Sequence, residues 1–236
     1  MITIAVAQPR CTPHDVAANV VAHAEAVRAA GARVVVFPEM SLTGYHLDAP
    51  PVPFDGLGPL VEACAETGSV ALAGAPVEGP HIGVLEVSGA GVRPVYRKMW
   101  LGDAEAECFR AGDAPAVVEV DGVRLGLAVC KDVRGPGHAA ATVAAGADVY
   151  VAGMLDHAWQ SALQHERARR IAVEHGVWVA VASFAGSTGE GYGEAAGRSA
   201  VWDRSGEVVA RAGVGVDEVV RAAVTARRAV EPGREA

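Results

Sequence analysis

The sequence predicts a single α/β domain built of layered, mixed sheets. Three observations carry this expectation. Helical and extended segments alternate along the 236 residues, as they do in layered α/β folds. Two pairs of extended segments meet at tight turns, which adds antiparallel strands to an otherwise parallel pattern. Hydrophobic residues reach 51% and are rich in Ala and Val, enough for one large core, and no linker-like stretch or repeat divides the chain.

Each element follows from a local pattern. Residues 2–7 read as an apolar strand. Residues 13–30 read as an amphipathic helix that gathers Val16, Val20, Ala24 and Val27 on one face and stops at Gly31. A short strand over 33–37 ends at Pro38-Glu39. Residues 57–67 are helical, and 69–73 form a buried strand. Residues 82–87 and 92–96 pair through Ser88-Gly89-Ala90-Gly91, and 116–120 and 123–129 pair through Asp121-Gly122. An alanine-rich helix over 138–145 closes at Gly146, and a buried strand covers 148–152. Asp156 is placed as the cap of a long helix reaching His175. A strand over 177–183, a mobile glycine-rich surface loop over 186–197, antiparallel strands near 199–203 and 208–211, and a last strand over 218–224 complete the series. The domain takes residues 1–226, and the charged segment 227–236 is a loosely ordered tail.

Composition excludes several roles. A net charge of −8 disfavours nucleic acid, whose binding depends on neutralising phosphates. No apolar run approaches the roughly 20 residues that span a bilayer. Met1-Ile2-Thr3-Ile4-Ala5-Val6 enters a strand with no basic leader, and Cys11, Cys64, Cys108 and Cys130 show no paired spacing. A cytoplasmic protein with free thiols is expected.

Lysine usage singles out two positions. Of twenty Lys and Arg residues, only Lys98 and Lys131 are lysines. A lysine that persists in an arginine-rich chain marks a place where a compact charge with a tunable proton is needed. Lys98 ends one predicted strand, Cys130 another, and Glu39 follows a third. Strand ends at one edge of an α/β sheet are where ligands bind. A thiolate is a strong nucleophile that needs a base or a positive neighbour to form. Glu39 can take the thiol proton, Lys98 can stabilise the thiolate and then an oxyanion, and the Lys131 N–H can add a second oxyanion donor. Singly these are a core cysteine, a solvated glutamate and a surface lysine; jointly they suffice for acyl transfer from a C–N bond to water.

Three segments carry a resemblance. Phe37-Pro38-Glu39-Met40-Ser41-Leu42-Thr43-Gly44-Tyr45, Tyr96-Arg97-Lys98 and Val129-Cys130-Lys131-Asp132 resemble the signatures of the nitrilase (carbon–nitrogen hydrolase) superfamily. Supporting matches run from Ala5-Val6-Ala7-Gln8 through Glu105, Phe109, Gly112 and Gly146-Ala147 to Ser199, Asp203 and Gly206. The resemblance implies a four-layer α-β-β-α sandwich with two mixed sheets, a Glu39–Lys98–Cys130 triad, at least a homodimer and no cofactor. It also implies a second, substrate-positioning glutamate. Counting back from Phe109, that residue is Glu105, with Glu107 facing solvent. Three departures stand out: Lys131 replaces a common aromatic, Gly137 and Ala140 replace a common glutamate and arginine, and Gly153-Met154 replaces a common proline.

Further candidates have two readings each. Lys131 either reaches into the pocket towards an anionic group or points away, since neighbours along a strand alternate faces. Tyr45, Trp100, Met154 and Phe184 follow strand ends and either line a pocket or pack the core. His138, His157 and His165 invite a metal, but His165-Glu166-Arg167-Ala168-Arg169 lacks the second histidine of a zinc-binding helix, and no metal is expected. Cys108 is a rival nucleophile by type, in a loop after Glu107. The expected function is a cofactor-free cysteine hydrolase acting on a small amide or carbamoyl compound. A nitrile hydrolase on the same triad and a catalytically silent binding module are the alternatives.

Overall fold

The computed structural model describes residues 1–227. The segment assigned to a loose tail therefore lies outside the described residues except for Arg227, whose N–H donates to Asp148 at 2.9 Å. Fourteen strands and five α-helices follow in the order β1 (Ile2–Gln8), α1 (Val16–Ala30), β2 (Val34–Val36), α2 (Gly58–Thr67), β3 (Val70–Val77), β4 (His81–Ser88), β5 (Gly91–Arg97), α3 (Asp103–Cys108), β6 (Val117–Val120), β7 (Val123–Val129), α4 (His138–Ala144), β8 (Val149–Met154), α5 (Ser161–His175), β9 (Trp178–Ser183), β10 (Ala185–Gly186), β11 (Ala195–Ala196), β12 (Ala200–Trp202), β13 (Val208–Arg211) and β14 (Glu218–Val224).

Two six-stranded sheets form, ordered β14-β1-β2-β3-β4-β5 and β13-β12-β9-β8-β7-β6. In the first, β1, β2 and β3 are parallel; in the second, β7, β8 and β9 are. Antiparallel strands flank both cores, as the two predicted hairpins require. Alternation along each strand sorts side chains to two faces. Val123, Leu125, Leu127 and Val129 of β7 join Ile4, Val6, Val34 and Val36 between the sheets. On the outer face of the first sheet, Val20, Ala24 and Val27 of α1 and Leu60 and Ala63 of α2 cover Ala5, Ala7, Val35 and Ala71. On the outer face of the second, Ala168, Ile171 and Ala172 of α5 cover Tyr150, Ala152 and Val179. The result is the predicted four-layer sandwich. Fully burying each Val, Leu or Ile contributes about 1.5–3 kcal/mol. No helix among the described residues is long and apolar enough to cross a membrane.

Three boundaries differ from the sequence reading in ways that bear on the site. The long α5 is not capped by Asp156: a short 3₁₀ turn, Ala158–Gln160, precedes it and Gln160 occupies the cap position. The segment holding Glu105 and Cys108 is the short helix α3, not a loop. The glycine-rich stretch contains the β10–β11 hairpin and is tied inward, because the Tyr45 N–H donates to the Thr188 carbonyl at 3.1 Å and Thr188 is fully buried.

Candidate active site

Three chain segments converge where the two sheets meet. Glu39 lies in the turn after β2. That turn wedges between two glycines: a Cβ at Gly74 would collide with the Pro38 carbonyl, and one at Gly153 would lie 2.8 Å from the Phe37 carbonyl and 3.0 Å from the Glu39 nitrogen. Glycine is required there for close backbone approach. Gly153 is also one of the departures noted above. Lys98 follows β5, held by its N–H to the Ile82 carbonyl and by its own carbonyl to the Gly112 N–H, both at 2.8 Å. Cys130 follows β7 in a left-handed conformation (φ 43°), rare for a residue with a Cβ and a sign of local strain.

The Lys98 side chain is fully buried. Its Nζ donates to Glu39 Oε1 at 2.6 Å and to Glu105 Oε1 and Oε2 at 2.7 and 2.8 Å. A buried ammonium is tolerable only when its donors are so used. Glu105 also accepts from the Gly102 N–H at 2.6 Å and the Tyr45 hydroxyl at 2.7 Å. Tyr45 thus touches the site, and Glu107 is exposed as expected.

Environment separates the two carboxylates. Burial pushes Glu39 up to about 7, aided by the Glu105 charge and opposed by Lys98. Burial also raises Glu105, but the Lys98 charge and the hydrogen bonds from Lys98, Gly102 and Tyr45 outweigh it and hold Glu105 below the ordinary carboxylate value. Two carboxyls driven apart in this way are able to divide proton transfer from charge stabilisation. Burial, with the Glu39 and Asp156 charges, raises the Cys130 thiol well above its usual value against the pull of Lys98. The thiol donates to the Leu155 carbonyl at 3.3 Å. A neutral thiol beside a carboxyl near neutrality is a pairing from which a base can draw a thiolate.

A buried network supports this centre. Asp132 accepts from the Met99 and Trp100 N–H groups at 3.1 and 2.8 Å, from the Val129 N–H at 2.8 Å and from the Tyr96 hydroxyl at 2.8 Å. It ties the segment after Lys98 to the segment before Cys130. His138 extends the network to Tyr96 and Tyr150 at 2.8 and 2.9 Å. Sequence reasoning missed this use of Asp132; its place two residues beyond Cys130 was the available signal. It also missed Tyr192, whose ring meets Tyr45 edge-on at 5.4 Å, and Asp156, the strand-end acid next to Leu155.

The remaining candidates fall in different places. Lys131 does not hold a free ammonium: Nζ donates to the Leu101 carbonyl at 2.6 Å, with Asp103 at 3.9 Å. Met154 is buried in the cluster between the second sheet and its helices, on the face away from the sandwich interior. Trp100 lies over Gly135, where a Cβ would strike the indole. Phe184 is fully buried with Leu155, Ala195, Tyr45 and Tyr192 around it. Cys108 is exposed at the end of α3. The three histidines considered for a metal are dispersed: His138 joins the buried network, His157 stacks on Tyr192, and His165 bonds the Arg198 carbonyl. Among the described residues, His14, His46 and Asp48 form the group whose potential ligand atoms lie within 4.8 Å of one another.

The family model for carbon–nitrogen hydrolases matches residues 3–231. The chain belongs to the carbon–nitrogen hydrolase family. Relatives of this carbon–nitrogen hydrolase include the Pseudomonas protegens protein named "Hydrolase in pqqF 5'region", 30% identical over 206 residues, which span 78% of this chain and 70% of that protein. The Mycobacterium tuberculosis "Hydrolase Rv0480c" is 37% identical over 151 residues, 56% of this chain and 54% of that protein. Among solved structures, the amidase from Nesterenkonia sp. AN1 superposes with a TM-score of 0.85 at 23% identity, covering 95% of this chain and 93% of that one. Saccharomyces cerevisiae Nit3, a member of branch 10 of the nitrilase superfamily, superposes with a TM-score of 0.81 at 24% identity, covering 94% and 89%. These likenesses establish the α/β fold with two mixed six-stranded sheets.

Proposed function

We propose that this carbon–nitrogen hydrolase cleaves a small amide or carbamoyl compound through an acyl-enzyme on Cys130, with Glu39 and Lys98 completing a triad. The observation that carries the reading is a fully buried ammonium shared by two carboxylates beside a partly exposed thiol in a strained turn. Glu39 takes the thiol proton as sulfur attacks the carbonyl carbon, and the carbonyl electrons move to oxygen. Lys98 Nζ and the Lys131 N–H stabilise that oxyanion. As the C–N bond breaks, Glu39 returns the proton to nitrogen, and ammonia or an amine leaves. Water then adds to the thioester with Glu39 as base, releasing the acid and restoring the thiol. Glu105, fixed by Gly102 and Tyr45, orients the substrate amide and holds Lys98 in place.

The amide preference draws support from the Nesterenkonia amidase, which has been captured with butyramide and with acrylamide added to its active-site cysteine. Lys131, tied to the segment entering α3, is assigned to holding Glu105 rather than to choosing an anion. Trp100 remains a candidate for the rim of the pocket. A homodimer in the cytoplasm completes the proposal; exposed Leu163 and Val173 on α5 supply apolar surface for such contact.

Ammonia release from matched amide and nitrile panels, with Cys130→Ala as control, tests the reading. Turnover of amides that vanishes in the variant is the expected result. Turnover of nitriles alone would make the chain a nitrile hydrolase. No turnover, together with no labelling of Cys130 by iodoacetamide, would make it a silent binding module.

A further inference from the structure

We infer that Asp156 selects the substrate: the pocket takes amides carrying a cationic group (an ammonium, amidinium or guanidinium) that pairs with the Asp156 carboxylate. This rests on Cys130 as the site of attack.

Position comes first. Strands β7 and β8 run parallel, with Val129 opposite Gly153. The residues that follow them, Cys130 and Leu155-Asp156, therefore emerge side by side. The bond from the Cys130 thiol to the Leu155 carbonyl, at 3.3 Å, fixes that neighbourhood. The Asp156 backbone carbonyl is spent on the Ala196 N–H at 2.9 Å. Its side chain is not spent. The residue is only 7% exposed, and Oδ2 is buried without a hydrogen-bond partner among the described residues. Buried carboxylates are otherwise paired or hydrogen-bonded. Burial accordingly raises Asp156 above the ordinary carboxylate value, more than the nearby charges of Arg167, Arg134 and His157 lower it. Both arginines act on it through their charge alone, without a hydrogen bond. An arriving cation would supply the missing partner.

The surroundings suit a cation as well. His157 stacks on Tyr192 at 4.2 Å and 14°. Tyr192 meets Tyr45 edge-on at 5.4 Å, and Tyr45 donates to Glu105. An aromatic run thus extends from the Glu105–Lys98 pair to the residue beside Asp156. Tyr192 feels the same space: burial, with the charges of Cys130, Glu39 and Asp156, pushes its hydroxyl up to about 12. Aromatic faces attract ammonium and guanidinium groups. Lys98 is held by Glu39 and Glu105, and the ammonium of Lys131 is committed to the Leu101 carbonyl and not offered to an anionic substituent.

Two measurements test this. The first is kcat/KM for pentanamide, 5-aminopentanamide and glutaramate, which match in length but are neutral, cationic and anionic, in wild type and Asp156→Asn. Wild type should favour the cationic amide over the neutral one by on the order of thirtyfold, as expected for a buried charge pair. Asp156→Asn should erase that preference, with kcat/KM falling most for the cationic amide and thermal stability near wild type. The second is calorimetric binding of 5-aminopentanamide and pentanamide to Cys130→Ala, with and without Asp156→Asn. Cation preference in binding without turnover in wild type would uphold the selectivity and overturn the hydrolase reading. Turnover without cation preference would overturn the selectivity alone. An equal fall for all three amides in Asp156→Asn would make Asp156 a structural residue and also overturn it.

Discussion

Lys98 has no spare volume, and two carboxylates hold its ammonium in place. Its side chain is fully buried, and Nζ meets three carboxylate oxygens within 2.8 Å. A guanidinium brings five donors on a planar fork into a site shaped for a point charge. Lys98→Arg should therefore lose the compact oxyanion donor, a loss of about 2.7–4 kcal/mol in transition-state stabilisation. A variant within a few-fold of wild type in kcat/KM would show that Lys98 only holds the fold. Glu39 gives a second expectation. It must be ionised to accept the thiol proton, and burial pushes it up to about 7. Below that pH it is protonated and idle, so kcat/KM should rise with pH through about 7. Glu39→Gln should remove the limb along with the activity, and a limb that survived the substitution would belong to another group. The convergence of Glu39, Lys98 and Cys130 was legible in the sequence because three residue types of matched chemistry ended three strands. The direction of Lys131 was not, because a side chain's aim depends on what packs beside its strand. Here that neighbour is the Leu101 carbonyl, which only the fold brings within 2.6 Å.

Elements reach the site through their ends, and a few contacts set how those ends meet. The Glu39 turn fits only because β3 and β8 offer Gly74 and Gly153 to its backbone. Gly74→Ala would drive a Cβ into the Pro38 carbonyl and the Met40 nitrogen, and backbone cannot yield as a flexible side chain can. Overpacking of this kind costs about 1–3 kcal/mol. The same displacement moves Glu39 away from Lys98, so activity should fall further than the loss of stability explains. Denaturant unfolding and kcat/KM of the same variant check this; a stable, fully active Gly74→Ala protein would refute the wedge. The strands and hairpins were readable from alternation and from turns such as Asp121-Gly122, where both residues adopt positive φ. Helix α3 escaped notice because it has six residues and buries only Glu105, too little for an apolar period to register. Asp156 was misplaced for a related reason. Aspartate before a helical pattern resembles a cap, and nothing local reveals that its carboxylate is buried and caps nothing.

On the scale of the whole molecule, the site belongs to neither sheet. Glu39 and Lys98 follow β2 and β5 of one sheet, while Cys130 and Asp156 follow β7 and β8 of the other. Their mutual distances are therefore set by how the two sheets pack face to face. Side chains such as Leu125, fully buried between the sheets, act as spacers. Leu60, equally buried, lies instead between α2 and the outer face of the first sheet. Truncating either to alanine should cost about 2–5 kcal/mol of stability. Their effects on catalysis should differ. Interiors pack densely enough to transmit a local collapse, and a shift of about 1 Å at reacting groups can cost on the order of a hundredfold in rate. Leu125→Ala should lower kcat/KM under conditions where the protein remains folded. Leu60→Ala should not, although its melting temperature falls by a similar amount. Equal kinetic losses in the two variants, or none in either, would mean that the geometry of the site is held by the local network around Asp132 and not by the spacing of the sheets.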